Sequence, residues 1–181
     1  MLYRATNGRS LHIRPTTESD LDPFRDLRLE ALRTHPEAFG SDYEESRQRP
    51  REHWLERLCN TERQMTFVAA ADDATLAGMA GIFREDGAKV RHSADIWGVF
   101  VRPAWRGAGL AGAMVNACVD WARDSGIRIV RLSVVTSNEP AIRCYRRCGF
   151  EQYGLAPEVI RANGQYHHEI LMFRRIEQSS G

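Results

Sequence analysis

The residues of this sequence best suited to chemistry are Arg106-Gly107-Ala108-Gly109-Leu110-Ala111. Two glycines there leave the backbone open to close approach by a ligand. From Leu110 the apolar residues Leu110, Met114, Cys118 and Trp121 recur at helical spacing, while Asn116, Asp120, Arg123 and Asp124 fall on the other side. A helix that starts on glycines offers unpaired N–H groups and the positive end of its dipole, and both favour an anion. The stretch therefore reads as a site for a phosphate-bearing ligand. Gly107, Gly109 and Gly112 also spell G-x-G-x-x-G, the fingerprint of dinucleotide-binding folds. That fingerprint follows its strand directly and has an acidic residue about twenty positions on. Here Arg102 to Arg106 intervene, and Leu132 is flanked by Arg131 and Ser133, with no carboxylate beside it. No Gly-Lys-Ser/Thr follows the glycines, so a P-loop is excluded, and a dinucleotide-binding oxidoreductase is the weaker alternative.

The elements that must carry this turn can be read outward from it. Residues 90–101 are rich in β-branched and aromatic side chains and predict a long central strand, closed by Pro103. The helix that follows should end at Gly126, and residues 127–135 predict the next strand. A strand, a helix and a strand in this order predict a right-handed parallel crossover. Asn138 caps a further helix that Gly149 terminates. Upstream, residues 11–15 predict a strand, and Thr17 with Asp20 has the spacing of a capping box. Leu21, Phe24, Leu27, Ala31 and Leu32 then form a helical stripe that stops before Pro36. Residues 36–49 show no clear period, and Pro50 suits the first turn of a helix that buries Trp54, Leu55 and Leu58. Residues 65–71 and 76–85 predict a hairpin, and Asp86-Gly87 another turn. Residues 150–153 and 165–173 close the sheet around a loop holding Pro157 and Asn163-Gly164. The class is α/β with a mixed sheet, in one domain over residues 1–181 with a core at about 11–176. Both ends, 1–9 and 177–181, are expected to fray.

Composition narrows the function classes. With 43% hydrophobic and 27% charged residues and a net charge of +1, nothing marks nucleic acid or an anionic membrane as a partner. No apolar run approaches the roughly 20 residues of a membrane span, and residues 1–8 lack a signal-peptide core, so a cytoplasmic location is expected. Cys59, Cys118, Cys144 and Cys148 form no C-x-x-C, and the six histidines form no H-E-x-x-H, so free thiols packed on the core and no metal are expected.

The glycine turn matches R/Q-x-x-G-x-G/A behind a hydrophobic strand and Val101-Arg102-Pro103. Downstream, Asn138-Glu139-Pro140-Ala141, Tyr145 and Gly149-Phe150 fit N-x-x-A-x-x-x-Y-x-x-x-G-F. Together these ordered motifs resemble the GNAT superfamily of acyl-CoA-dependent N-acyltransferases, least clearly between residues 34 and 63. The resemblance implies a mostly antiparallel sheet whose parallel pair splays apart to admit the pantetheine arm of acetyl-CoA, the co-substrate. It implies that Arg106, Gly107, Ala108, Gly109, Leu110 and Ala111 hold the diphosphate, and that Val99 or Phe100 offers N–H groups to the oxyanion. Val101 would pair with the pantetheine amides and Asn138 would contact coenzyme A. Tyr145 becomes the candidate general acid, since a phenol is protonated at neutral pH yet not far above a thiol in pKa. Asp95, on the central strand, is the candidate base, with Glu85, His92 and Glu30 behind it. Phe39, Tyr43 and Glu44 are the expected contacts of a small-molecule or peptide amine, attracted by the acidic run 42–45. The expected activity is direct acetyl transfer in a ternary complex, because no cysteine stands in a nucleophilic motif. The rival is a non-catalytic acyl-CoA-binding or sensor module, and a homodimer is compatible with either.

Overall fold

The computed structural model describes residues 2–4 and 10–177. One mixed sheet of eight strands forms the centre. The strands are β1 (Leu2–Arg4), β2 (Ser10–Pro15), β3 (Gln64–Ala71), β4 (Leu76–Arg84), β5 (Ser93–Val101), β6 (Ile129–Val135), β7 (Glu151–Ala162) and β8 (Gln165–Arg175), in spatial order β1-β2-β3-β4-β5-β6-β8-β7. Among the described residues only β5 and β6 run parallel; the other pairs are antiparallel. The helices are α1 (Leu21–Thr34), α2 (Tyr43–Arg47), α3 (Arg51–Leu58), α4 (Leu110–Asp124) and α5 (Glu139–Arg147).

The two faces of the sheet are covered by different helices. On one face Leu110, Met114, Val115, Cys118 and Val119 of α4 pack on alternate residues of β2 to β5, among them Ile13, Ala69, Ile82 and Ile96. On the other, Phe24, Leu27 and Ala31 of α1 and Trp54 and Leu58 of α3 cover Val68, Ala70, Met79 and Phe100. Phe24 and Leu27 are fully buried, each worth about 1.5–3 kcal/mol by transfer. The chain enters α1 through a tight start: Asp20 accepts from the Thr17 N–H at 2.8 Å and pairs with Arg14 at 2.6 Å. Burial alone would raise the Asp20 pKa, but Arg14 and the Thr17 bond outweigh it and hold it below the ordinary value.

Several boundaries differ from the sequence reading, each for a local reason. Residues 2–4, expected to fray, pair with β2; residues 5–9 and 178–181 lie outside the described residues. The central strand starts at Ser93, because Val90 turns back on Gly87 through N–H bonds of 3.1 Å (Val90) and 3.0 Å (Arg91). The unperiodic stretch holds α2, which Asp42 caps by accepting from the Glu45 N–H at 3.0 Å. Pro157 lies inside β7 rather than in a loop, and β7 is an edge strand where a missing N–H is tolerated. Cys59 is exposed, while Cys118 and Cys148 are buried and Cys144 is half-buried; all four are free thiols. Among the described residues no helix is long and apolar enough to cross a membrane.

Candidate functional site

The site arises where the parallel pair fails. β5 and β6 are in register only at Ser93–Ile129, Ala94–Val130 and Asp95–Arg131. Beyond these, β6 stays bonded to β8 as far as Val135–Glu169, while β5 stays with β4 up to Gly78–Val101. The two strands therefore diverge and leave a wedge. A bulge on β5 contributes: Gly81 faces Trp97 and Met79 faces Phe100, so β5 spends one more residue than β4 across that interval. Gly98 takes up the surplus at φ +66°, a left-handed conformation that side chains disfavour. The resulting cleft has a volume of about 840 Å³.

Both ordered motifs open onto this cleft. Arg106, Gly107, Gly109, Leu110 and Ala111 line one end of it. Gly107 sits at φ +88° with open space where a Cβ would be, and Gly109 at φ +74° starts α4, leaving its first N–H groups directed away from the helix. Arg106 turns its side chain back: its Nε donates to the Val101 carbonyl at 2.9 Å, and its Nη2 lies 3.1 Å from His35 Nε2. What this turn offers an anion is therefore backbone, steadied by the arginine. Ala108, in the same turn, is not part of the lining. Val99, Phe100 and Val101 form the β5 wall. On the far wall Asn138 caps α5, its Oδ1 accepting from the Ala141 N–H at 3.2 Å. Two turns beyond that cap is Tyr145, buried against Phe150 yet part of the lining, and its hydroxyl has no partner among the described residues. Burial, then the nearby thiols Cys144, Cys148 and Cys118, push the phenol pKa above its ordinary value. Cys144 also lines the cleft, and the hydrogen bond it shares with the Cys148 thiol lowers its pKa while raising that of Cys148.

Two expectations are corrected by the placement. Asp95 does not reach the cleft: its carboxylate is held by Arg131, at 2.8 Å to Nη2 and 3.3 Å to Nε, and Glu85 shares that arginine at 2.8 Å. Nor do the substitutes reach it, since Glu30 pairs with Arg102 at 2.8 Å and His92 is exposed outside the lining. Of the expected acceptor contacts only Phe39 lines the cleft. Tyr43 and Glu44 lie on the outer helix α2, where Glu44 pairs with Arg47 at 2.9 Å and Asp42 is consumed as a cap. The carboxylates that do line the cleft are Glu37 and Glu169.

Arg28 and Arg57 escaped the sequence reading, as did Glu37 and Glu169. Arg28 is only 9% exposed, lines the cleft, and lies over the Phe39 ring at 4.7 Å and the Trp97 ring at 6.0 Å. Arg57, also in the lining, stacks on Trp97 at 4.6 Å. The signal was present: Arg28 is four residues from both Phe24 and Leu32, so a cation occupies a position of the buried stripe of α1.

The acetyltransferase (GNAT) family profile matches residues 24–150 of this chain. An uncharacterised N-acetyltransferase of Methanocaldococcus jannaschii is 30% identical over 149 residues, covering 77% of this chain and 60% of that protein. The chain thus spans less than two thirds of that relative's length. The L-amino acid N-acetyltransferase of Escherichia coli is 31% identical over 130 residues, covering 69% of this chain and 77% of that protein. Among solved structures, one from Salmonella typhimurium determined with acetyl-CoA superposes with a TM-score of 0.79 at 19% identity, over 94% of this chain and 96% of the other.

Proposed function

The chain belongs to the acetyltransferase (GNAT) family, and from that premise we propose that it moves an acetyl group from acetyl-CoA to a primary amine by direct transfer in a ternary complex. The observation that carries this reading is the wedge between β5 and β6, with a glycine turn at one end and an unpartnered phenol on its far wall. The Arg106 N–H is given to the Pro103 carbonyl at 3.2 Å, so amide hydrogens of Gly107, Gly109, Leu110 and Ala111 hold the diphosphate, Val101 pairs with a pantetheine amide, and Asn138 contacts the same arm. The thioester then lies along the opened stretch of β5.

In the transfer the amine nitrogen adds to the carbonyl carbon, and the carbonyl π pair moves onto oxygen. The backbone N–H of Val99 or Phe100 stabilises that oxyanion. On collapse the C–S bond breaks with its electrons on sulfur, and the Tyr145 hydroxyl donates a proton to the departing thiolate. A phenol with a raised pKa stays protonated throughout the neutral range and so serves as donor, not base. Proton transfer to a thiolate with pKa near 8.5 is uphill in water, but the same desolvation raises the proton affinity of the thiolate too. Glu37 and Glu169 are the lining carboxylates available to take the proton of the amine, directly or through water. Free coenzyme A thiol released from acetyl-CoA in the presence of an amine panel tests the reading. Turnover with one class of amine is the expected result. Tight acetyl-CoA binding with no turnover on any amine would assign the chain to the non-catalytic modules.

A further inference from the structure

The acceptor end of the cleft carries a charge with nothing to balance it. Arg28 Nη1 is buried without a hydrogen-bond partner, and Nη2 reaches only the Ser41 hydroxyl at 3.4 Å. Among the described residues no carboxylate pairs with Arg28 or with Arg57. Burial, and then the neighbouring charge of Arg57, lower the Arg28 pKa to about 10, which still leaves it cationic at neutral pH. An unpaired buried cation is one of the most costly arrangements a fold can keep, and a counter-anion relieves it. Apolar surroundings sharpen the requirement, because Phe39 and Trp97 screen the guanidinium from water on two sides.

The position says which anion. A Cβ placed on Gly98 would lie 3.8 Å from Arg28 Nη1, so the unpartnered nitrogen sits at the bulge where β5 parts from its neighbour. Along β5 this is three residues short of Val101, roughly 10 Å at strand rise, before the diphosphate turn is reached. Arg28 also arises from α1, on the opposite face of the sheet from α4. The phosphates of coenzyme A are thus spoken for elsewhere, and the anion that meets Arg28 must arrive with the acceptor.

We propose that the acceptor is an amino-carboxylate, an α-amino acid with an uncharged side chain, whose carboxylate is taken up by Arg28 with Arg57 beside it. This rests on the acetyl-transfer reading given above. In an α-amino acid the amine and the carboxylate share one carbon, so fixing the carboxylate at the Gly98 bulge holds the nitrogen next to the opened strand where the thioester lies. Phe39 and Trp97 line the cleft beside the two arginines and give the side chain aromatic surface to pack on. The same two arginines repel polyamines, which reverses the cationic preference that the acidic run 42–45 suggests.

The test compares L-leucine with L-leucinamide and spermidine, using the unaltered protein and acetyl-CoA, with thiol release and calorimetric titration against the coenzyme A complex as readouts. The amide has the less basic amine and is the better nucleophile at neutral pH, so intrinsic chemistry favours it. A preference for L-leucine of about 10- to 100-fold in kcat/KM, the range a charged hydrogen bond commands, is the expected result. In Arg28→Gln and Arg57→Gln that preference should shrink mainly through KM, with acetyl-CoA affinity retained. Equal use of the amide, or turnover with spermidine alone, would overturn the proposal. A fall in kcat for every amine in Arg28→Gln, with KM unmoved, would also overturn it, by making the arginine a partner of the oxyanion. Binding of L-leucine without turnover would uphold the carboxylate site and remove the transfer reading instead.

Discussion

Tyr145 has a buried ring and belongs to the lining of the cleft. Removing its hydroxyl breaks no bond within the protein, so Tyr145→Phe should leave the melting temperature and acetyl-CoA affinity unchanged. If the phenol donates to the leaving sulfur, kcat falls by about 100-fold, the lower end of what a positioned proton donor contributes. Pre-steady-state thiol release, which isolates the chemical step, measures it; an unchanged rate would make Tyr145 a core aromatic only. At this scale the sequence is informative where a residue stands in a motif and uninformative where its partner is remote. Tyr145 and Asn138 are legible from spacing. The ion pair that occupies Asp95 joins it to a residue 36 positions away, and no local pattern announces such a contact.

Among the elements, the turn from Arg106 to Gly109 shows how two left-handed glycines leave a stretch of backbone open to the cleft. Gly107 is at φ +88° with no atom within 4 Å of where a Cβ would stand, so a side chain there meets backbone strain but no clash. Gly107→Val should cost about 1–2 kcal/mol of stability through the left-handed conformation alone. If the diphosphate docks on this turn, the variant should weaken acetyl-CoA binding by a larger factor, because the β-branched side chain then stands against it. Denaturant titration and calorimetry on the same sample separate the two effects, and an affinity loss no larger than the stability loss would argue against diphosphate at this turn. The turn, α4 and the strands around them could be read from periodicity because glycine, proline and alternating apolar residues act locally. α2 could not, since its five residues depend on one Asp42 cap. Pro157 misleads for a related reason: whether a proline breaks a strand depends on whether that strand is at an edge, which is a property of the assembled sheet.

Across the whole molecule the sheet is two bonded blocks, β1 to β5 and β6 to β8 with β7, joined by three parallel register pairs. A ligand laid into the wedge would bridge these blocks and substitute for the ladder that β5 and β6 do not form. Amide exchange should therefore change unevenly when acetyl-CoA binds. Protection should rise along residues 98–101 of β5 and at 106–111, where opening requires the ligand to leave, by up to about 100-fold at 100 times Kd. The antiparallel ladders between β2 and β3 and between β6 and β8 are complete already and should change little in comparison. Hydrogen exchange followed by mass spectrometry, with and without acetyl-CoA, reads both regions in one experiment. Protection spread evenly over all strands would mean global stabilisation without bridging. Protection absent from 98–101 but present at 106–111 would mean that the diphosphate docks while the acyl arm lies elsewhere, and the position of the thioester beside Tyr145 would have to be given up.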